Sequence, residues 1–154
     1  MVAFAEENTL MGNRQFAALP FRVDKAGIEI LLITTRQKRR WSVPKGSPIK
    51  NKKPHRVAEV EAFEEAGLDG AAAKRALGSF RHRKQRGKRK HNLDVDLFPM
   101  KVRKQMAFWP EKGQRNAIWL PPQDAARLVH KRQLGRLISR FATRKARKQG
   151  ASLT

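Results

Sequence analysis

The sequence predicts a single α/β domain. Three observations carry that expectation: a length of 154 residues with 40% apolar content, apolar runs rich in β-branched residues, and a helix between Pro54 and Ala66 bounded by proline and glycine. A chain of this length folds as one domain and buries a sizeable core. Residues 1–13 are expected as a flexible N-terminal tail, 14–142 as the domain and 143–154 as a basic C-terminal tail.

Gln15 to Val23 has strand character, and Pro20 within it lacks the N–H that a ladder uses, which predicts an edge position or a bulge. Asp24 to Gly27 is a turn and Ile28 to Thr35 a β-branched strand, so the two segments form a hairpin. Trp41 to Val43 is short and extended. Pro54 suits a first helical turn, where its missing N–H is not needed, and Gly67 suits the position just past the end. Val57, Val60, Phe63 and Leu68 give that helix an apolar stripe. Leu77 to Phe80 and Leu93 to Val102 form a further strand pair. Trp109 to Asn116 is a loop before a strand ending at Leu120. From Gln123 the chain turns helical, with Ala126, Leu128, Val129, Leu134, Leu137, Ile138 and Phe141 as its apolar stripe. Its other face is Lys and Arg, which suits solvent, an anionic surface or nucleic acid.

The formal net charge of +22 attracts polyanions, so nucleic acid, nucleotides and polyphosphates are the expected classes of partner. Arg81 to His91 is a basic connection without an acidic residue, either a solvated loop or an electrostatic lip over a site. It contains no aromatic residue for base stacking. The absence of cysteine excludes disulfides and thiolate metal sites and points to a reducing cytoplasm. No segment approaches the ~18 consecutive apolar residues of a membrane span, and the start lacks a signal-peptide pattern. His55, His82, His91 and His130 are too scattered along the chain to suggest a metal cluster or an acid–base pair. Nothing in the sequence sets an oligomeric state.

The carboxylates are concentrated instead. Of 13 acidic residues, Glu59, Glu61, Glu64 and Glu65 fall in the helix after Pro54. Residues three or four apart share a helical face, and like charges there weaken a helix by roughly 0.2–0.5 kcal/mol per pair. Glu61 lies beside both Glu64 and Glu65, so a positive partner is expected. Either Lys and Arg neutralise a solvated face, or the carboxylates bind a divalent cation such as Mg²⁺, which takes hard oxygens from a few carboxylates, water and substrate phosphate. Asp94 and Asp96 share one strand face and offer either a further carboxylate or ordinary hydrogen bonding.

From Gly46 the stretch GSPIKNKKPHRVAEVEAFEEAGL resembles the signature of the Nudix hydrolases: Gly, five residues, Glu, seven residues, Arg-Glu, an aliphatic, any residue, Glu-Glu, any residue, Gly, an aliphatic. Glu61, Ala62, Glu64, Glu65, Gly67 and Leu68 stand at the matching positions, preceded by Trp41-Ser-Val-Pro-Lys-Gly46. Two positions depart: Lys52 replaces the early Glu, and Val60 replaces the Arg that in the family helps orient the carboxylates. The resemblance implies a Nudix-type α/β/α sandwich with a mixed β-sheet. It also implies a hydrolase, dependent on Mg²⁺ or Mn²⁺, that cleaves a diphosphate linkage in a highly phosphorylated small molecule, of the diphosphoinositol polyphosphate or dinucleoside polyphosphate type. It assigns the metal to Glu61, Glu64 and Glu65 with Gly46, and makes Glu61, Glu64, Glu65 and Glu111 the catalytic candidates for polarising water. Arg22, Arg40, Lys45 and Arg115 become candidate phosphate contacts, while Lys52 is either a phosphate contact or loop charge. The rival expectations are a pyrophosphohydrolase of RNA 5′ ends and a polyanion-binding module in which Val60 and Lys52 mark weakened chemistry.

Overall fold

The computed structural model describes residues 13–152, so residues 1–12 of the expected N-terminal tail and residues 153–154 lie outside the described residues. Among the described residues, eight strands make one mixed sheet: β1 (Arg14–Asp24), β2 (Gly27–Thr34), β3 (Trp41–Ser42), β4 (Lys45–Gly46), β5 (Leu68–Ala72), β6 (Gly78–Arg86), β7 (Arg89–Gln105) and β8 (Ala117–Leu120). The strand order is β3-β2-β1-β7-β5, with β4 on β1, β6 on β7 and β8 on β2. The β1–β7 pair is parallel and the other pairs are antiparallel. Among the described residues, three helices flank the sheet: α1 (Pro54–Ala66), α2 (Pro122–Leu128) and α3 (Arg132–Ser152).

Strand alternation divides the core into two layers. Ala17, Leu19, Ile30 and Leu32 pack with Leu134, Leu137, Ile138 and Phe141 of α3. Phe16, Ala18, Leu31 and Ile33 pack with Val57, Ala58, Ala62 and Ala66 of α1. Successive residues of a strand face opposite sides, so β1 and β2, apolar at every position in these runs, must be covered on both. The result is the expected α/β/α sandwich.

Pro20 is not at an edge. It is fully buried in β1, between β7 and the strands on the other side. On that other side Phe16 and Ala17 pair with β4, and Phe21 to Asp24 pair with β2. Ala18 donates its N–H toward Pro44 at 3.0 Å, and Pro20, two residues on, points the same way. Its missing N–H therefore falls in the gap between two short ladders, where no partner is required.

Helix α1 has the expected bounds, with Pro54 in the first turn and Gly67 left-handed at φ 71°. Its buried face differs from the expected stripe. His55, Val57, Ala58, Ala62 and Ala66 are buried, whereas Val60 is half-buried and Phe63 exposed. The alanines let the helix lie close on the sheet, leaving Val60 and Phe63 at its flank. The expected C-terminal helix is two helices, broken where Val129 turns extended (φ −62°, ψ 139°) and His130 donates its backbone N–H to Trp41 at 3.3 Å. α3 then continues past residue 142 to Ser152. The Arg81 to His91 segment is no loop: it pairs continuously in the β6–β7 hairpin, out to Arg86 opposite Arg89, with Gly87 at φ 59° in the tip. Spreading like charges along two twisted strands separates them enough for the ladder to form.

Candidate active site

Glu61 and Glu65 lie one turn apart on α1 and face the β4 backbone. A Cβ at Gly46 would overlap the Glu61 carboxylate, so glycine there is what lets the helix carboxylate reach the strand. The next backbone amide toward the N-terminus, Lys45 N–H, donates to Glu65 Oε2 at 3.3 Å. Glu59 takes no part: it accepts from Ala72 N–H at 2.8 Å and from Arg56 at 2.8 Å.

The 109–116 loop closes the site from the other side. Glu111 donates its backbone N–H to the Glu64 carbonyl at 3.0 Å, and Trp109 packs so closely on Gly67 that a Cβ at 67 would strike its ring. Arg115 Nη2 lies 3.4 Å from Glu65 Oε1 and 3.2 Å from Glu111 Oε1, with the Arg115 side chain only 11% exposed. Its Nη1 donates to the Thr34 carbonyl at 3.1 Å. Arg36, far more exposed, reaches Glu111 at 3.6 Å.

These contacts set the electrostatics. Glu61 is raised from the usual carboxylate range to about 7, first by burial and then by repulsion from Glu65, Glu64 and Glu111, with Arg115 opposing. Glu65 is also raised to about 7 by burial, against the pull of Arg115 and Lys45. Lys45 is lowered by burial, which outweighs its attraction to Glu65.

Glu65, Lys45 and Arg115 open into a cleft of about 1290 Å³ in which Glu65 is the only acidic lining residue. Arg40 lies on its wall, 3.1 Å from the His130 ring, and the hairpin contributes Arg81, Arg83, Lys84 and Lys90. His82 and His130, far apart in sequence, line the same cleft, and burial among cations depresses His82 to about 4.

The structure thus brings together Gly46, Lys45, Glu61, Glu65, Glu111 and Arg115, with Glu64 alongside and Arg40 on the wall. It does not bring in Arg22, whose guanidinium pairs with Glu29 at 2.8 Å and lies 4.1 Å over the Trp119 ring. Asp94 and Asp96 are also outside it, paired with Arg81 and with Arg14 and Ser79. Thr34, Arg36 and Lys131 were not singled out by sequence. Only the sheet register, which sets the end of β2 against the 109–116 loop, reveals Thr34 and Arg36. Among the described residues, no three carboxylate or imidazole groups are gathered as a preformed metal cage.

No family model matches the chain. It is 29% identical over 146 residues to Nudix hydrolase 21, chloroplastic, of Arabidopsis thaliana, covering 92% of this chain and 72% of that protein. It is 30% identical over 118 residues to diphosphoinositol polyphosphate phosphohydrolase 3-beta of Bos taurus, covering 75% of this chain and 68% of that protein. The crystal structure of C. elegans Ap4A hydrolase superposes with a TM-score of 0.61 at 16% identity, over 84% of this chain and 96% of that one, a likeness of fold. With the sandwich and its carboxylate helix, these relatives define an enzyme, a hydrolase acting on phosphoric anhydride bonds. The chain belongs to the Nudix hydrolases.

Proposed function

We propose that this hydrolase uses a divalent cation, Mg²⁺ or Mn²⁺, to cut a diphosphate linkage in a highly phosphorylated small molecule of the diphosphoinositol polyphosphate or dinucleoside polyphosphate type. The observation that carries it is the placement of Glu65 on the wall of a cleft whose other charged lining residues are cationic or histidine, with Glu61 one turn away against Gly46. The donor set fits such an ion. Carboxylate oxygens are the hard ligands it takes, and Mg²⁺ commonly keeps water and substrate phosphate in its other positions, so an all-protein cage is not required. Burial raises both Glu61 and Glu65, with repulsion from neighbouring carboxylates adding to it at Glu61, so a bound cation would favour their ionised forms.

Glu61 and Glu65 would hold the ion, with Glu64 assisting. Once bound, the ion supplies charge neutralisation at the transferring phosphoryl group and a more acidic water. Lys45, Arg40 and the hairpin cations draw the phosphates into the cleft, where the side chain of Glu65 is only 10% exposed. Water adds to phosphorus, the bridging oxygen leaves with the remaining phosphoryl group, and a site carboxylate takes the proton. Glu61, Glu64, Glu65 and Glu111 are the candidates for that role.

A second reading, removal of pyrophosphate from RNA 5′ ends, draws support from the basic walls that β6 and β7 add to the cleft. No helix among the described residues is long and apolar enough to cross a membrane, and the lack of cysteine suits a reducing cytoplasm. Phosphate release should be screened over dinucleoside polyphosphates, nucleoside triphosphates, diphosphoinositol polyphosphates and 5′-triphosphate RNA, each with Mg²⁺ and with excess chelator. Fastest release from the small polyphosphates, abolished by chelator, is the expected result. Undiminished turnover in chelator would overturn the metal requirement, and a preference for RNA would favour the second reading.

A further inference from the structure

We propose that Arg115 is the positioning residue of this site, acting on the carboxylates rather than on substrate phosphate; this rests on the catalytic reading above. Its guanidinium joins three separate parts of the chain: Thr34 at the end of β2, Glu65 on α1 and Glu111 in the loop. Both terminal nitrogens are engaged, and Nε is enclosed without a partner. With the side chain only 11% exposed, the fork presents little of itself to an incoming phosphate.

Among the described residues, no other Lys or Arg side chain forms an ion pair with Glu65. The one basic side chain on α1, Arg56, is committed to Glu59 at 2.8 Å, and position 60, directly before Glu61, is Val. Lys45 meets Glu65 through its backbone amide. Arg36 reaches Glu111 and Gln114 but not Glu65, with 60% of its side chain exposed. A planar guanidinium can hold two carboxylates and a carbonyl in fixed relative directions, whereas an ammonium is a point charge on a flexible stem. Arg115 thus sets where the Glu65 carboxylate points relative to the sheet and the loop.

The test uses Arg115→Lys and Arg115→Ala in the full chain, with circular dichroism to confirm folding. At saturating Mg²⁺, Arg115→Ala should lower kcat about 100-fold, the scale of a misplaced catalytic group, with KM within about twofold. Arg115→Lys should fall between it and wild type. The Mn²⁺ dissociation constant, read by electron paramagnetic resonance without substrate, should rise about tenfold or more, as when a residue orienting a metal ligand is lost. In the metal-free protein, the carboxyl carbon resonances of Glu65 and Glu111 should move in Arg115→Lys. A rise in KM with kcat and Mn²⁺ affinity retained would show that Arg115 contacts phosphate and would overturn the proposal, as would unchanged carboxyl resonances. If Arg115→Ala does not fold, Arg115→Lys carries each of these readings. If wild type hydrolyses none of the substrates, the functional reading fails while the resonances still decide the brace.

Discussion

Glu111 donates its backbone N–H to the carbonyl of Glu64 at 3.0 Å, and this bond fastens the 109–116 loop to the last turn of α1. The side chains of Glu111 and Arg115 are thereby delivered to the face where Glu61 and Glu65 stand. Backbone geometry, rather than any attraction between carboxylates, brings these like charges together, and burial in that place is what chiefly raises Glu61 and Glu65 to about 7.

Gly46→Ala should damage activity far more than stability. The added Cβ would meet the carboxylate end of Glu61, a flexible side chain that can swing aside while the backbone stays in place. Turnover should fall about 100-fold, the scale expected for a displaced group in the site, with the melting temperature nearly unchanged. A large drop in melting temperature with proportionate turnover would show that strand β4 itself had moved.

In the metal-free protein, stability should decline as pH rises from about 4.5 to about 7. Glu61 and Glu65 have folded-state values of about 7 against an ordinary 4.5, so the folded state holds protons that the unfolded chain has released. Their contribution is fully present below 4.5 and lost as pH passes through 7. His82, depressed to about 4, acts in the opposite sense, losing stability as pH falls from 6.5 toward 4. The comparison is therefore wild type against Glu61→Gln/Glu65→Gln, whose melting temperature should fall less between pH 5 and pH 8. Parallel pH profiles for the two proteins would refute the shifts.

Glu65→Gln should remove nearly all turnover yet leave the metal-free protein at pH 8 at least as stable as wild type. A neutral amide keeps an oxygen for the Lys45 N–H and avoids an ionised carboxylate that the folded site disfavours. Addition of Mn²⁺ should raise the melting temperature of wild type and not of Glu65→Gln. Full turnover by the variant would sink the assignment of Glu65 as a metal ligand.

The cleft should select for phosphate density rather than base identity. Its lining offers many cations and no Phe, Trp or Tyr ring for a base to stack on, and ionic contacts weaken as salt shortens the Debye length, about 8 Å near physiological ionic strength. KM for a substrate with many phosphates should climb with added salt more steeply than KM for a simple diphosphate. Arg83→Gln/Lys84→Gln, both on the cleft wall, should narrow that difference. Equal salt slopes together with strong discrimination between adenine and guanine would show that the site selects the base.

Much of the helix and the placement of its carboxylates was legible in the sequence alone, because the signals are local. Pro54 and Gly67 set the bounds of α1 through backbone restriction, and the spacing of Glu61, Glu64 and Glu65 puts them on one face by helical geometry. The β-branched run from Ile28 likewise made a strand and its turn a hairpin. What the chain could not reveal by itself depends on distant neighbours. Pro20 reads as an edge residue until β4 and β2 leave a gap opposite it. Val60 and Phe63 read as core until Ala58 and Ala62 bring α1 onto the sheet along a different line. Arg115 reads as one more basic residue until Thr34, Glu65 and Glu111 surround it, and His82 meets His130 only across the cleft. Local backbone preferences are written in neighbouring residues, whereas burial and charge pairing are settled by which surfaces the folded sheet and helices press together.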